Sequence, residues 1–263
     1  MKHESLTERG LRAMSLVVVL GLTGGTAIAA EGVSPDADEI LRAMSTFMGG
    51  TKAFSVTADI SNELITQQGQ KLQFNSSASA LVERPSHLQV ARKGGLVDAE
   101  VMFDGKQLTL YGKRVNAYFQ KDLNGSLDDA LSTLENGLGI SLPGGDLLIA
   151  NPYAALSSGI TSSGYYGTEY VGGVESHHLA FRTAKVDWQL WVKAGDEPLP
   201  MKYVITTKLM TGAPQYTVQF SNWNLKPAIA AKQFTFVAPK GAQKLNELPV
   251  DETGEIIIKE GSK

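Results

Sequence analysis

The stretch AFSVTADIS at residues 53–61 alternates apolar and polar side chains along its length. Successive side chains of a β-strand point to opposite faces, so Phe54, Val56, Ala58 and Ile60 would share one face. The opposite face would carry small polar or charged side chains. This pattern predicts an antiparallel strand with one face packed and the other in contact with water.

The same alternation recurs along most of the chain and is interrupted by turn-forming residues such as Asp104-Gly105. Its apolar positions include Leu72, Phe74, Trp188, Leu190, Tyr216, Val218 and Phe220. We expect about ten such strands, too many for a flat sheet without curling, with a short final edge at Phe234 and Phe236. The sequence therefore predicts a mainly β fold with minor α structure, built as a curved antiparallel sheet or half-open β-barrel.

Two segments have helical periodicity instead. Ser34 is a favourable N-cap, and apolar residues recur at helical spacing from Ile40 to Met48. Ser126 precedes a second apolar stripe over residues 127–138, and shorter helical pieces follow it. We expect these helices to lie as a lid across the apolar concave face of the sheet.

Composition excludes several classes of protein. The 263 residues contain no cysteine and have a formal net charge of −3. Without cysteine there can be no disulfide scaffold, no thiolate metal site and no cysteine nucleophile, and a lipid anchor on an N-terminal cysteine is not expected. A slightly acidic chain also lacks the basic stripe that is typical of nucleic-acid binding.

Sequence motifs for catalysis are missing. Gly137-Leu138-Gly139 lacks the third glycine of a dinucleotide fingerprint because residue 142 is leucine. No G-x-S-x-G turn of a serine hydrolase occurs in the sequence. We therefore predict a protein that is not an enzyme and has neither catalytic residues nor a cofactor.

The chain divides into three parts on composition. Residues 1–29 combine basic residues, a short apolar run and a small-residue site ending at Ala29, which is typical of a cleavable signal peptide. Residues 30–245 are expected to form a single domain, and residues 246–263 a polar C-terminal tail. We predict a periplasmic location and no membrane span in the mature chain.

Two groups of residues on the later strands could be functional or merely structural: the histidines with Glu175, and the exposed-face tryptophan. Glu175 and His177 would share one face of a strand while His178 faces the other way, so the three cannot bind one metal ion. We predict no metal site and assign them to the polar face. Trp191 would face away from Trp188, and it is either covered by a neighbouring loop or free to contact a partner.

Several motifs resemble one family of bacterial proteins over nearly the whole of the predicted domain. They are Glu83-Arg84-Pro85, Phe103–Lys106, His177–Phe181, Asp187–Val192, Pro198–Pro200 and Phe234–Phe236. The chain resembles a family of predicted periplasmic proteins of unknown function that is related in fold to the lipoprotein carriers LolA and LolB. The resemblance implies a half-open barrel whose helices cover an apolar cavity, where relatives of that fold hold lipid or acyl chains.

The sequence thus favours a binding protein whose ligand is a lipid, an acyl chain or a lipidated protein or peptide. The expected lining of its cavity is Phe54, Val56, Leu72, Phe74, Trp188, Leu190, Tyr216, Val218 and Phe220. The alternative is a structural or protein-interaction module of the cell envelope with a filled core, no ligand and an envelope protein as its partner.

Overall fold

The computed structural model describes residues 32–140, 142–251 and 253–257. Three α-helices are α1 (Pro35–Gly50), α2 (Leu127–Ser132) and α3 (Pro152–Leu156). The first six strands are β1 (Ala53–Ile65), β2 (Lys71–Glu83), β3 (His87–Gly94), β4 (Asp98–Phe103), β5 (Gln107–Gly112) and β6 (Ala117–Asp122). The remaining six are β7 (Ser162–Val171), β8 (Val174–Arg182), β9 (Val186–Lys193), β10 (Pro200–Thr207), β11 (Gln215–Asn224) and β12 (Gln243–Leu245). The predicted signal peptide lies outside the described residues.

The twelve strands form one open, curved sheet in the order β12-β6-β5-β4-β3-β2-β1-β11-β10-β9-β8-β7. All neighbouring strands are antiparallel except β12, which runs parallel to β6. The pairing of β1 with β11 joins the two halves of the chain, because Ala58 lies opposite Phe220 and Ile60 opposite Val218. The predicted fold class, a mainly β protein with a curved sheet and few helices, is confirmed.

The prediction of a final edge strand at Phe234 and Phe236 is wrong. Both residues lie outside the strands, and the last strand is Gln243–Leu245. Phe234 is buried beside the ring of His87, with 4.9 Å between ring centroids. Phe236 packs on Tyr118 at 4.9 Å. The two phenylalanines are two residues apart because each ring packs against a different neighbour. They do not belong to a strand that pairs through backbone hydrogen bonds.

Helix α1 begins as expected, because the Ser34 hydroxyl accepts a hydrogen bond from the Ala37 backbone N–H at 3.4 Å. Its buried face includes Leu41, Met44 and Met48. Helix α2 begins with a reciprocal capping box between Ser126 and Asp129. The predicted helix over 127–138 is not uniform, since α2 ends at Ser132 and continues as a π-helical turn at Thr133–Gly137.

Part of the predicted polar tail packs against the sheet. The side chain of Ile256 is 2% exposed and lies against Gly112, where an added Cβ would lie 2.9 Å from the Cβ of Ile256. Glu255 accepts a hydrogen bond from the Asp98 backbone N–H at 2.6 Å. Apolar burial at Ile256 therefore holds this segment in the core, although most of its neighbours in sequence are polar.

Candidate ligand-binding cavity

An apolar cavity of about 180 Å³ lies between the concave face of the sheet and the segment that includes α2. Strands β1 to β4 and β11 supply one wall. The other wall comes from Leu131 of α2, Leu134 of the π-helical turn and the loop around Leu142 and Leu147. Arg92 is the charged residue of this lining. The cavity thus occupies the interface between sheet and helices that the sequence predicts to be apolar.

Small side chains on the central strands explain why this space is open. Ala58 and Ala78 lie opposite each other on β1 and β2, and Ala80 lies opposite Val56. All four residues line the cavity. Because an alanine side chain is one methyl group, the helices above these positions would have to approach much closer to close the gap. Close packing elsewhere in the core holds the helices at their present distance.

Four of the nine residues expected to line a ligand cavity do so: Val56, Tyr216, Val218 and Phe220. They meet because β1 and β11 are neighbours, and Asn62, Ile60 and Ala58 of β1 lie opposite the three β11 residues. Their contact with a ligand stays a prediction.

The other five expected residues do not line this cavity. Phe54 is fully buried and packs on Trp223 with ring centroids 5.4 Å apart. Trp188 stacks on Phe181 at 4.0 Å, and the adjacent inward residue Leu190 is fully buried. These three residues face the core, as predicted, but they lie outside the part of the core that borders this cavity.

Leu72 and Phe74 fail for a different reason. Phe74 lies opposite Asn62 and Leu72 opposite Leu64 in the β1–β2 hairpin. Both are partly exposed and lie further along the hairpin than the alanine positions. Alternation predicts the face of a strand correctly here, but it does not predict how far along that face the helices reach.

A wider vestibule of about 710 Å³ adjoins the apolar cavity. The two spaces share Arg92, Tyr216, Leu131 and the loop of Leu142 to Gly145 as lining residues. The vestibule also contacts four carboxylates: Glu63, Asp128, Glu135 and Asp146. An apolar chamber therefore adjoins a polar one, and Arg92 and Tyr216 lie where they meet.

Two of these carboxylates have partners within the protein. Glu63 lies 3.0 Å from the Lys71 ammonium and accepts the Gln215 backbone N–H at 2.8 Å. Burial opposes the charge of Glu63, but these hydrogen bonds outweigh it and lower its pKa. Asp128 accepts the Ala150 backbone N–H at 2.9 Å, and its charge opposes the burial that lowers the pKa of Arg84.

The other two carboxylates, Glu135 and Asp146, are close to each other, and neither forms an ion pair with a residue that the structure describes. Burial raises the pKa of Asp146 to about 6, and the negative charge of Glu135 adds to this shift against a hydrogen bond from Tyr203. The Tyr203 hydroxyl donates to Oδ2 of Asp146 at 3.2 Å. Oδ1 is buried and accepts no hydrogen bond of good geometry from the described residues, although the nearby backbone N–H groups of Leu147 and Asp146 also act to lower the pKa of this carboxyl. Partial burial also raises the pKa of Glu135.

Arg92 is the residue that the sequence analysis misses. It follows Leu88 and Val90 at spacing two, so the alternation itself places residue 92 on the inner face of β3. Its Nε donates to the Ser76 hydroxyl at 3.0 Å. Burial raises the pKa of Tyr216, and the positive charge of Arg92 opposes part of that rise. A charged side chain at an inward-facing position of an otherwise apolar strand is thus a signal for a binding site that can be found in the sequence alone.

The two histidines lie on opposite faces of β8, and each has a structural explanation: His178 is on the outer face, whereas His177 shares the face of the buried Leu179, so its assignment to the polar face is wrong. His178 stacks on Trp191 with ring centroids 4.2 Å apart, and its ring nitrogens contact Glu169 and Gln189 at 3.1 and 3.0 Å. Trp191 is buried, and side chains of the neighbouring strands contact it: His178 stacks on its ring, Glu169 accepts its indole N–H and Lys202 lies over the ring. His177 contacts the Tyr165 hydroxyl at 3.1 Å. Over the described ranges, no three histidine or carboxylate side chains form a group that could hold a metal ion.

Three solved structures are among those found to be similar to this chain. An uncharacterized conserved protein from Thermus thermophilus is 12% identical with a TM-score of 0.47, over 80% of this chain and 98% of that one. The MucA/MucB complex of Pseudomonas aeruginosa contains a chain that is 17% identical with a TM-score of 0.44, over 77% of this chain and 62% of that one. A LolA superfamily protein from Nitrosomonas europaea is 11% identical with a TM-score of 0.34, over 76% of this chain and 97% of that one.

No match is found among curated proteins. In the part of the chain that the structure describes, every helix is too short or too polar to cross a membrane. The model of one family, described as predicted periplasmic protein (DUF2092), matches residues 37–246, which is well over half of the sequence. The chain therefore belongs to this family of predicted periplasmic proteins, which is the family that its motifs indicate.

Proposed function

We propose that this protein is an exported binding protein that holds the apolar chain of a lipid, or of a lipidated partner, in the cavity below its sheet. The observation that carries the proposal is the apolar space of about 180 Å³ beside a polar vestibule. Ligand sites commonly combine an apolar chamber with a few polar groups that fix orientation. We assign the protein no catalytic step.

The size of the cavity favours one short chain or one segment of a longer chain. An apolar cavity of ~150 Å³ can bind benzene, which has six carbon atoms. In the same proportion, about 180 Å³ accommodates roughly seven carbons. At ~0.8 kcal/mol for each buried methylene group, their transfer from water contributes roughly 5 to 6 kcal/mol before the costs of binding. Polar contacts in the vestibule would supply the remaining affinity and the choice of ligand.

Native mass spectrometry of the protein purified from the periplasm without detergent tests the proposal. We expect an adduct with the mass of a lipid, and we expect octyl-chain ligands to raise the melting temperature of delipidated protein. Protein that carries no adduct and shows no shift with any octyl-chain ligand would contradict a binding role.

Export is proposed from residues 1–29, which have the pattern of a cleavable signal peptide. Expression of the full chain followed by mass analysis of the periplasmic product tests this. We expect a mature N-terminus just after Ala29. A product that retains the first residues in the membrane fraction would refute cleavage.

The alternative role, an envelope protein-interaction module, is favoured by a different observation. Strand β7 is at the edge of the sheet, and its Tyr170 side chain is 73% exposed. Exposed edge strands and exposed aromatic residues are common features of protein contacts. The two roles differ in one measurement, because only the ligand-binding role predicts that ligands with one head group bind more tightly as their alkyl chain lengthens.

A further inference from the structure

The charges around the vestibule separate into two groups. Glu63 is neutralised by Lys71, and Asp128 lies near Arg84 and accepts a backbone N–H. Arg92, on the other hand, has no carboxylate within 4.0 Å among the described residues. Arg92 and the carboxylate pair of Glu135 and Asp146, which have no oppositely charged partner among the described residues, thus contact the same space.

Arg92 is placed to bind an anion at the neck, which is the region around Arg92 and Tyr216 where the apolar cavity meets the vestibule. One of its five N–H groups, at Nε, donates to Ser76, and the other four have no partner within the described ranges. Tyr216 lines the neck beside it and can donate its hydroxyl proton. A guanidinium group suits anionic oxygens such as those of phosphate, which it can bind with two parallel hydrogen bonds.

The carboxylates of Glu135 and Asp146 are placed to bind a cation. Asp146 is the more buried of the two, and its Oδ1 accepts no hydrogen bond of good geometry in the described part of the chain. An added Cβ on Gly145 would lie 3.7 Å from Oε1 of Glu135, so this carboxylate lies beside the turn that carries Asp146. A primary ammonium group carries three N–H donors and one positive charge, which would satisfy Oδ1 and lower the repulsion within the pair.

We propose that the vestibule recognises a zwitterionic head group on a single-chain lipid, with its phosphate at Arg92 and its primary ammonium group at Glu135 and Asp146. This inference rests on the proposed function, since the alkyl chain of that lipid would occupy the apolar cavity. Paired charges of the vestibule play no part in recognition. The site discriminates by the guanidinium of Arg92 and the carboxylate pair, for which the described residues supply no oppositely charged partner.

Four ligands with the same octyl chain test the inference by isothermal titration calorimetry at pH 7.5, below the concentrations at which they form micelles. They are octylphosphoethanolamine, which carries both charges, octyl phosphate, octylammonium and octanol. We expect octylphosphoethanolamine to bind at least tenfold more tightly than each of the other three. Equal affinity for octylphosphoethanolamine and octanol would overturn the head-group assignment.

Two substitutions assign the charges to residues. Arg92→Gln is expected to weaken octylphosphoethanolamine and octyl phosphate about ten- to a hundredfold and to leave octylammonium unchanged. Glu135→Gln is expected to weaken octylphosphoethanolamine and octylammonium and to leave octyl phosphate unchanged. Thermal unfolding of each variant checks that it is folded. Arg92→Lys provides a second variant, which keeps the positive charge but loses the two parallel N–H donors of the guanidinium group.

Matched controls are available in the chain. Lys93 is adjacent to Arg92 on β3 but is exposed on the outer face, so Lys93→Gln makes the same change of charge away from the vestibule. Glu39→Gln, at an exposed side chain of α1, is the equivalent control for Glu135→Gln. A loss of affinity with Lys93→Gln equal to that with Arg92→Gln would overturn the assignment. Failure of all four ligands to bind refutes the proposed function, whereas equal binding of all four refutes only the head-group inference.

Discussion

Replacing Ala78 by leucine is expected to stabilise the empty protein and to weaken its binding of an alkyl chain. Ala78 lies on the inner face of β2 opposite Ala58, and both residues line the cavity. The substitution adds three carbon atoms to that space. At roughly 25 Å³ for each carbon, the ratio for benzene in its cavity, leucine would fill on the order of 75 Å³ of the 180 Å³ present.

The two expected effects have opposite signs and can be estimated from the same volume. Burial of three methylene-sized groups contributes up to about 2 kcal/mol to the free energy of unfolding. The same three groups of an octyl ligand lose their place in the cavity, so the dissociation constant of octylphosphoethanolamine should rise about 50-fold. Urea unfolding of ligand-free protein measures the first quantity and calorimetric titration measures the second.

Ser77→Leu is the matched control, because Ser77 is the adjacent residue of β2 and is exposed on the outer face. It should change neither quantity appreciably. Unchanged affinity in Ala78→Leu would show that the alkyl chain does not occupy this cavity. A loss of stability in Ala78→Leu would show that the space between sheet and helices is too small for the added side chain.

Three further predictions test other parts of the structure. Asp146→Asn should raise the free energy of unfolding by about 1 to 3 kcal/mol at pH 7.5, because the pKa of Asp146 is raised to about 6 in the folded protein. The sign follows from the raised pKa, because the wild-type protein loses stability as pH rises from about 4 through about 6. The gain from asparagine should therefore disappear at pH 4. A gain that is independent of pH between 4 and 8 would refute the assignment. Phe54→Ala should lower the free energy of unfolding by about 3 to 5 kcal/mol, since this ring is fully buried against Trp223; a loss below 1 kcal/mol in urea unfolding would contradict that packing. Ile256→Ala should cost about 2 to 4 kcal/mol in the same assay, whereas Val237→Ala, at a side chain that is 81% exposed, should have almost no effect; equal values for the two would show that Ile256 is not part of the core.

The fold class was predictable because its signal is local. The alternation at residues 53–61 assigns each side chain to a face, and the structure places Phe54, Val56, Ala58 and Ile60 on the buried face of β1 as expected. Helix caps are equally local, since Ser34 needs only the backbone N–H three residues later. Short-range rules therefore predict which elements form and which of their faces turn inward.

The lining of the cavity was predictable only in part. Phe54 and Val56 are two residues apart on the same face of β1, but Phe54 is enclosed by Trp223 while Val56 lines the cavity. The difference depends on residues more than a hundred positions away along the chain. No periodicity within β1 contains that information.

Patterning along the chain is enough to establish a curved, mainly β fold with an apolar inner face, and even to place Arg92 on that face. The packing of the folded elements against each other decides which part of that face borders a cavity. Alternation follows from the geometry of a single strand. A cavity, however, is the volume that remains after side chains from distant segments have packed, so it depends on the joint positions of Ala58, Ala78, Phe220 and Leu131.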